Sequence, residues 1–262
     1  MAKKNRKRRG AKKHSGVVEP SNALTGRNRA LDSLRGVAIL LMIVDHVAFL
    51  FFDQNIELGQ LRFFTRLSMP LFCILGGYLA AGKETVNWMR IAQVAVAACI
   101  VNLLYFPAYG QLEILVSLLL CYLGYAMIGK WMMLCAGGAL LYAWDPTASS
   151  SLAADLWSGK ACLLDFPFTI VATPFALGIL LRKFGLPWAV GALLLLLPAI
   201  WLIPEPTVFV LWLTPVALLL VAGGCSKPSY SLRPLELIGR YPLRIYATQY
   251  VVLLGLALLT QQ

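Results

Sequence analysis

Long apolar runs separated by short polar gaps organise this chain. The first, Leu31 to Phe52, reads LDSLRGVAILLMIVDHVAFLFF. Within it Leu34 to Phe52 has the length of a helix that crosses a bilayer core, which takes roughly 20 residues. Eight further runs follow at about 61–82, 88–106, 111–128, 130–144, 161–181, 186–203, 207–223 and 236–259, with 130–144 the weakest. The pattern predicts an all-α fold, a polytopic transmembrane helical bundle of about nine spans. The count becomes eight or ten if one run splits or the 144–165 stretch re-enters the membrane. Pro70, Pro107, Pro174, Pro198 and Pro215 are expected to kink helices or open their ends. Trp88, Trp131, Trp144, Trp188 and Trp201 fall at or near run ends, as in an interfacial aromatic belt.

The charged positions set domain limits and orientation. Residues 1–30 open with MAKKNRKRRGAKKH and continue as a Gly/Ser/Pro/Asn-bearing linker. A like-charge block of this kind reads as a basic disordered tail, leaving 31–262 as one integral membrane domain. Of the 23 Lys and Arg, eleven precede residue 36. With the N-terminus in the cytoplasm, alternation of the runs adds Lys83, Arg90, Lys130, Arg182, Lys183, Lys227, Arg233, Arg240 and Arg244 to that side. Only Arg62, Arg66 and Lys160 fall outside. Such asymmetry fits the positive-inside rule and a multi-pass protein of the inner (cytoplasmic) membrane. The tail then meets anionic membrane lipids, and no nucleic-acid partner is expected.

Composition narrows the class further. Hydrophobic residues are 59% of the chain and charged residues 13%, which excludes an ordinary soluble domain. Cys73, Cys99, Cys121, Cys135, Cys162 and Cys225 are scattered without metal-ligand spacing. They read as buried small apolar residues, and no metal site is expected.

Candidate chemistry sits where polar residues interrupt the runs. Ionisable groups inside a span are costly and mark function. Arg35 and His46, eleven residues apart, lie within roughly 20° of one another around a helix and about 16 Å apart along it. Asp32 falls about 40° from His46 on the same face. His46 is roughly 18 Å into the first span, and Arg66 and Ser68 in the second reach a similar level from the other side. Asn102, Thr169 and Gln249 come to that layer too, with Glu113 and Asp165 just beyond. A carboxylate, an imidazole, an arginine and amides together are what a general-base site needs. His46 would take a proton from a nucleophile. Asp45 would orient it or hold a cation, and Arg66 would bind an oxyanion or anionic group.

At these residues the chain resembles the integral-membrane acyltransferases. LDSLRGVAILLMIVDH is similar to the first-helix Arg-x10-His motif of acyltransferase-3 proteins. The ending MIVDH followed by LRFFTRLSMPLFCILGGYLAAG (Leu61–Gly82) resembles most the TraX-type pilin-acetylase family. Heparan-glucosaminide-type acetyltransferases share a related opening. IGRYPLRIYATQY (Ile238–Tyr250) resembles a late segment common in the superfamily. The likeness is specific in 29–83, weak in the middle and moderate at 236–250. It implies His46 as catalytic base, Asp45 as its companion and Arg35 as a helper near the acyl-CoA entrance. Where many relatives carry a late His this chain has Gln249, which weighs against any mechanism needing two histidines.

The expected function is therefore a membrane acyltransferase using acetyl-CoA or another acyl-CoA as donor. Arg35, Arg240 and Arg244 would serve CoA phosphates on the cytoplasmic side. Arg66, Ser68, Asn102, Glu113 and Gln249 would serve substrate beside Asp45 and His46. The acceptor would be an extracytoplasmic pilin amine, a glycan hydroxyl or a lipid headgroup. Two rivals are a proton-coupled transporter and a noncatalytic assembly partner of an extracellular fibre or polysaccharide.

Overall fold

The computed structural model describes residues 28–52, 63–82, 85–133, 163–166, 168–202, 206–227 and 232–260. All its named elements are helical: α1 (Arg29–Phe52), α2 (Ser68–Ala80), α3 (Trp88–Tyr109), α4 (Ile114–Ile128), α5 (Phe168–Phe184), α6 (Leu186–Leu202), α7 (Thr214–Ser226), α8 (Arg233–Arg240) and α9 (Pro242–Thr260). Two 3-10 turns, Gly129–Trp131 and Pro206–Leu213, join them. Most of the expected 130–144 span lies outside the described residues. So do the tail before residue 28, Arg62, Lys83, Lys160, Cys135, Cys162, Trp144 and the side chain of Trp201.

Among the described residues four helical stretches are long and apolar enough to cross a membrane: Arg29–Phe52, Phe63–Ala80, Trp88–Tyr109 and Ile114–Trp131. Leu186–Pro198 and Val210–Ser226 are shorter apolar helices. Pro107, Pro174 and Pro198 fall inside α3, α5 and α6, while Pro215 sits in the first turn of α7, where its missing N–H costs nothing.

Local chemistry sets the helix ends. The Asn28 side chain accepts from Leu31 N at 3.1 Å and starts α1. Asn87 likewise accepts from Arg90 N at the start of α3. Gly110, at φ +68°, ends α3 in the left-handed conformation that glycine adopts freely.

Small residues let the helices close on one another. A Cβ on Gly36 would collide with the carbonyl of Leu235, and one on Gly239 with the carbonyl of Asp32, so α1 and α8 meet backbone to backbone. Gly77 and Gly178 do the same for α2 and α5 against Phe175 and Ile74. This is how helices pack in lipid, where close van der Waals approach replaces the hydrophobic drive. The buried core runs through Leu71, Ile74, Val94, Val101, Ile170 and Phe175. The outer faces expose Val96, Ile100, Leu103, Leu195, Leu219 and Leu259, the surface of a membrane protein. Cys73 and Cys121 are buried as expected, but Cys225 is half-buried and Cys99 exposed. Cys99 shares the apolar outer face of α3, where a thiol substitutes for a small aliphatic group.

Candidate active site

Four parts of the chain converge at the far end of α1. α1 carries Asp45 and His46. The turn before α2 carries Thr65 and Arg66. α9 brings Tyr246, Gln249 and Tyr250. The start of α4 brings Glu113. A short backbone bridge adds a fifth part: Leu112 pairs with the 163–165 segment, with Asp165 N donating to Leu112 O at 2.8 Å. Glu113 and Asp165 each directly follow a partner in that bridge, Leu112 and Leu164, so the bridge brings together two acids far apart in sequence.

The polar groups are held on specific partners. Thr65 Oγ1 donates to Asp45 Oδ1 at 2.9 Å, and Arg66 Nε stands 3.8 Å from Asp45 Oδ2. Asp45 thus faces the Arg66 cation. Arg66 also lies over the Phe166 ring at 5.5 Å. His46 Nδ1 is 3.0 Å from the amide nitrogen of Gln249. The imidazole is wedged edge-on against Tyr250 at 4.6 Å and Tyr246 at 5.9 Å between ring centres. Glu113 is only 2% exposed. Its Oε2 caps α4 by accepting from Leu115 N at 2.8 Å, and its Oε1 accepts from the Tyr246 hydroxyl. Asn102 supports it from behind, accepting from Glu113 N at 2.9 Å and donating to Ala98 O at 2.8 Å.

These residues enclose a cavity of about 230 Å³ lined by Asp45, His46, Arg66, Ser68, Glu113 and Asp165, with Phe49, Tyr105, Phe166 and Tyr250 among its walls. Beside it is an apolar recess of about 20 Å³, sharing Met42, Met69, Ile114 and Tyr246 with the cavity and floored by Phe72, Cys73 and Leu118. The recess has room for about one small group. No polar surface lines it.

A second cavity, about 470 Å³, opens at the other end of α1, between Arg35, Arg90 and Arg240, with Asn87, Tyr122 and Tyr125 also lining it. Two of its arginines are pre-set by acids: Asp32 pairs with Arg35, and Glu236 with Arg240 at 2.5 Å. Arg244 lies nearby, in a groove between α3 and α9 that also contains Arg90 and Arg240, its guanidinium over Tyr241 at 5.6 Å.

Of the residues singled out in the sequence, Asp45, His46, Arg66, Ser68, Glu113 and Asp165 meet at the first cavity, with Gln249 reaching it through His46, and Arg35 and Arg240 meet at the second. Asn102 stands one step behind Glu113. Thr169 is buried in α5 and bonds through its carbonyl to Thr173. Sequence reasoning missed Tyr105, Tyr246 and Tyr250, Thr65, and Arg90 as a cavity residue rather than a topology charge. Tyr246 and Tyr250 flank Gln249 at spacings of three and one on α9, a signal available in YATQY once Gln249 is taken as a site residue.

Residues 28–108 match the family described as an acyltransferase domain. The matched stretch spans α1, α2 and nearly all of α3, and so includes Arg35, Asp45, His46, Arg66 and Asn102. It stops short of Glu113, Asp165 and α9. No curated protein and no solved structure matches the chain.

Proposed function

We propose that this protein is an integral-membrane acyltransferase that takes an acetyl group from cytoplasmic acetyl-CoA and passes it to an acceptor on the outer side of the inner membrane. The observation that carries the reading is a single helix, α1, with an arginine-lined cavity at one end and a histidine–carboxylate–arginine cavity at the other. The acyltransferase match over residues 28–108 supports the same class of chemistry.

In this reading Arg35, Arg90 and Arg240 receive the CoA phosphates, for which the guanidinium fork is well shaped. His46 takes the proton of the acceptor hydroxyl or amine as that atom bonds to the thioester carbon. The C–S bond then breaks, and His46 returns the proton to the departing thiolate. Arg66, steadied by Asp45 and Phe166, faces the developing oxyanion. The methyl of the acetyl group fits the apolar recess, where water would lack hydrogen-bond partners. Resemblance to the TraX-type pilin acetylases makes a pilin amine one acceptor to test beside glycans and lipid headgroups. The remaining apolar runs complete a bundle of about nine spans with a cytoplasmic N-terminus.

Mass spectrometry of extracytoplasmic glycans, pilins and lipids from cells with wild-type protein, with His46→Ala and with none is the test. One acetyl on a defined molecule, present only with wild type, supports the reading. The same acetyl persisting with His46→Ala makes the protein a noncatalytic partner. No acetyl change, with substrate flux in liposomes, favours a proton-coupled transporter built on Asp45, His46 and Arg66.

A further inference from the structure

The contact between Gln249 and His46 bears on which imidazole nitrogen does the work. A neutral imidazole has one N–H donor and one acceptor nitrogen, and the group bonded to one nitrogen decides the state of the other. If the Gln249 amide donates its N–H to Nδ1, the ring proton resides on Nε2. The ring then offers no lone pair to an incoming nucleophile. If the amide is turned by 180°, Oε1 accepts from Nδ1–H and Nε2 carries the lone pair. Once the ring has taken a second proton both nitrogens donate, and only the Oε1 orientation remains favourable.

Three observations leave the imidazole to set that orientation. One end of the Gln249 amide meets Nδ1, while the other is buried with no hydrogen-bond partner among the described residues, so the way the amide is turned follows the proton state of His46. The ring is clamped between Tyr246 and Tyr250, so it cannot swing away to offer Nδ1 elsewhere. Asp45, the adjacent carboxylate, is already engaged by Thr65 and Arg66. Resting on the reading of His46 as general base, we infer that Gln249 is a positioning residue. Its Oε1 holds Nδ1–H of His46, and Nε2 is the nitrogen that takes the acceptor's proton. A neutral amide thus fills the orienting role, without adding a fourth carboxylate to a cavity that already contains Asp45, Glu113 and Asp165.

The chain has only two histidines, so ¹⁵N-histidine labelling of full-length His14→Ala protein in nanodiscs reports His46 alone. The expected spectrum shows Nδ1 protonated and Nε2 bare. A ring protonated on Nε2 overturns the proposal. The second arm measures release of CoA thiol from acetyl-CoA by purified protein, with water as the probe acceptor. Gln249→Leu should lose about tenfold or more in kcat with KM for acetyl-CoA unchanged, as happens when a catalytic histidine loses its orienting partner. Gln249→Glu, which keeps an oxygen facing Nδ1, should retain activity within a few-fold of wild type. If the leucine variant does not fold, Gln249→Met replaces it, since it keeps length without an acceptor. Wild-type kcat in the leucine or methionine variant, with His46→Gln inactive, overturns the positioning role and leaves the general base standing. A glutamate variant as poor as leucine also overturns it. His46→Gln at wild-type rate overturns both.

Discussion

His46 is the one imidazole on the apolar helix α1, and a residue so placed has few physical reasons to be there. If it is the general base, His46→Gln should cost about 10²–10⁴ in rate, because glutamine keeps volume and hydrogen bonding but cannot accept the proton. Thermal stability of purified His46→Gln should stay near wild type, and any single ionisation in the wild-type rate profile should vanish. Asp45 makes a different prediction. Asp45→Asn keeps an oxygen for Thr65 but removes the charge facing Arg66 at 3.8 Å. It should lower both stability and rate, and Arg66→Gln added to it should recover part of the stability, since the pair is then neutral. Additive losses in a thermal-melt double-mutant cycle would show that the two do not interact. At this scale the sequence was most informative about charged and amide groups. Asp45, His46, Arg66 and Gln249 stand out because lipid makes their presence expensive. Tyr105, Tyr246 and Tyr250 did not, because a tyrosine in an apolar run fits a core or a belt equally well.

The elements explain how those residues are brought to one place. Gly239 allows α8 to lie against the backbone of α1, which sets Arg240 beside Arg35. Gly239→Ala should cost about 1–3 kcal/mol by overpacking and weaken binding of labelled acetyl-CoA. Gly255→Ala, where an added Cβ meets nothing within 4 Å, should not reduce stability. Comparable melting losses in both variants would mean that the α1–α8 approach is not special. A second test concerns the recess. Leu118, 3% exposed at its floor, limits its depth. Leu118→Ala should shift turnover from acetyl-CoA toward propionyl- and butyryl-CoA. An unchanged acyl preference in a folded variant would remove the recess from the mechanism. Hydrophobic runs were enough to anticipate α1 to α4, because a continuous apolar stretch leaves little choice, least of all in α3, with Asn87 at its start and Gly110 at its end. They could not anticipate the bridge between Leu112 and the 163–165 segment. It rests on backbone hydrogen bonds between residues distant in sequence, which no side-chain pattern encodes.

The whole molecule has two unlike ends. Arg35, Arg90 and Arg240 line one cavity together with Leu79 and Ala80 of α2. Arg182 donates to Tyr78 near that same end of α2 at 2.8 Å. Gly224 of α7 packs on Leu31 and Leu34 at the start of α1, so Lys227 belongs there too. Tyr125 lines the same cavity and places the following Lys130 with them. The opposite end holds Asp45, Glu113 and Asp165 around the first cavity, with Arg66 as the one cation among the described residues lining it. The run pattern anticipated this sorting, since alternation of spans alone placed all these basic residues except Arg66 on one side. In the orientation proposed from the positive-inside rule the arginine-rich end would face the cytoplasm, the compartment from which acetyl-CoA would reach Arg35, Arg90 and Arg240. Single cysteines in a cysteine-free variant test this in intact cells. Gln111→Cys, exposed next to Gly110 at the His46 end, should react with a membrane-impermeant thiol reagent at once. Lys130→Cys and Lys227→Cys, both exposed at the arginine end, should react only after the membrane is opened. The reverse pattern would turn the arginine cavity away from the cytoplasm, and with it the route by which a cytoplasmic thioester could reach His46 from below.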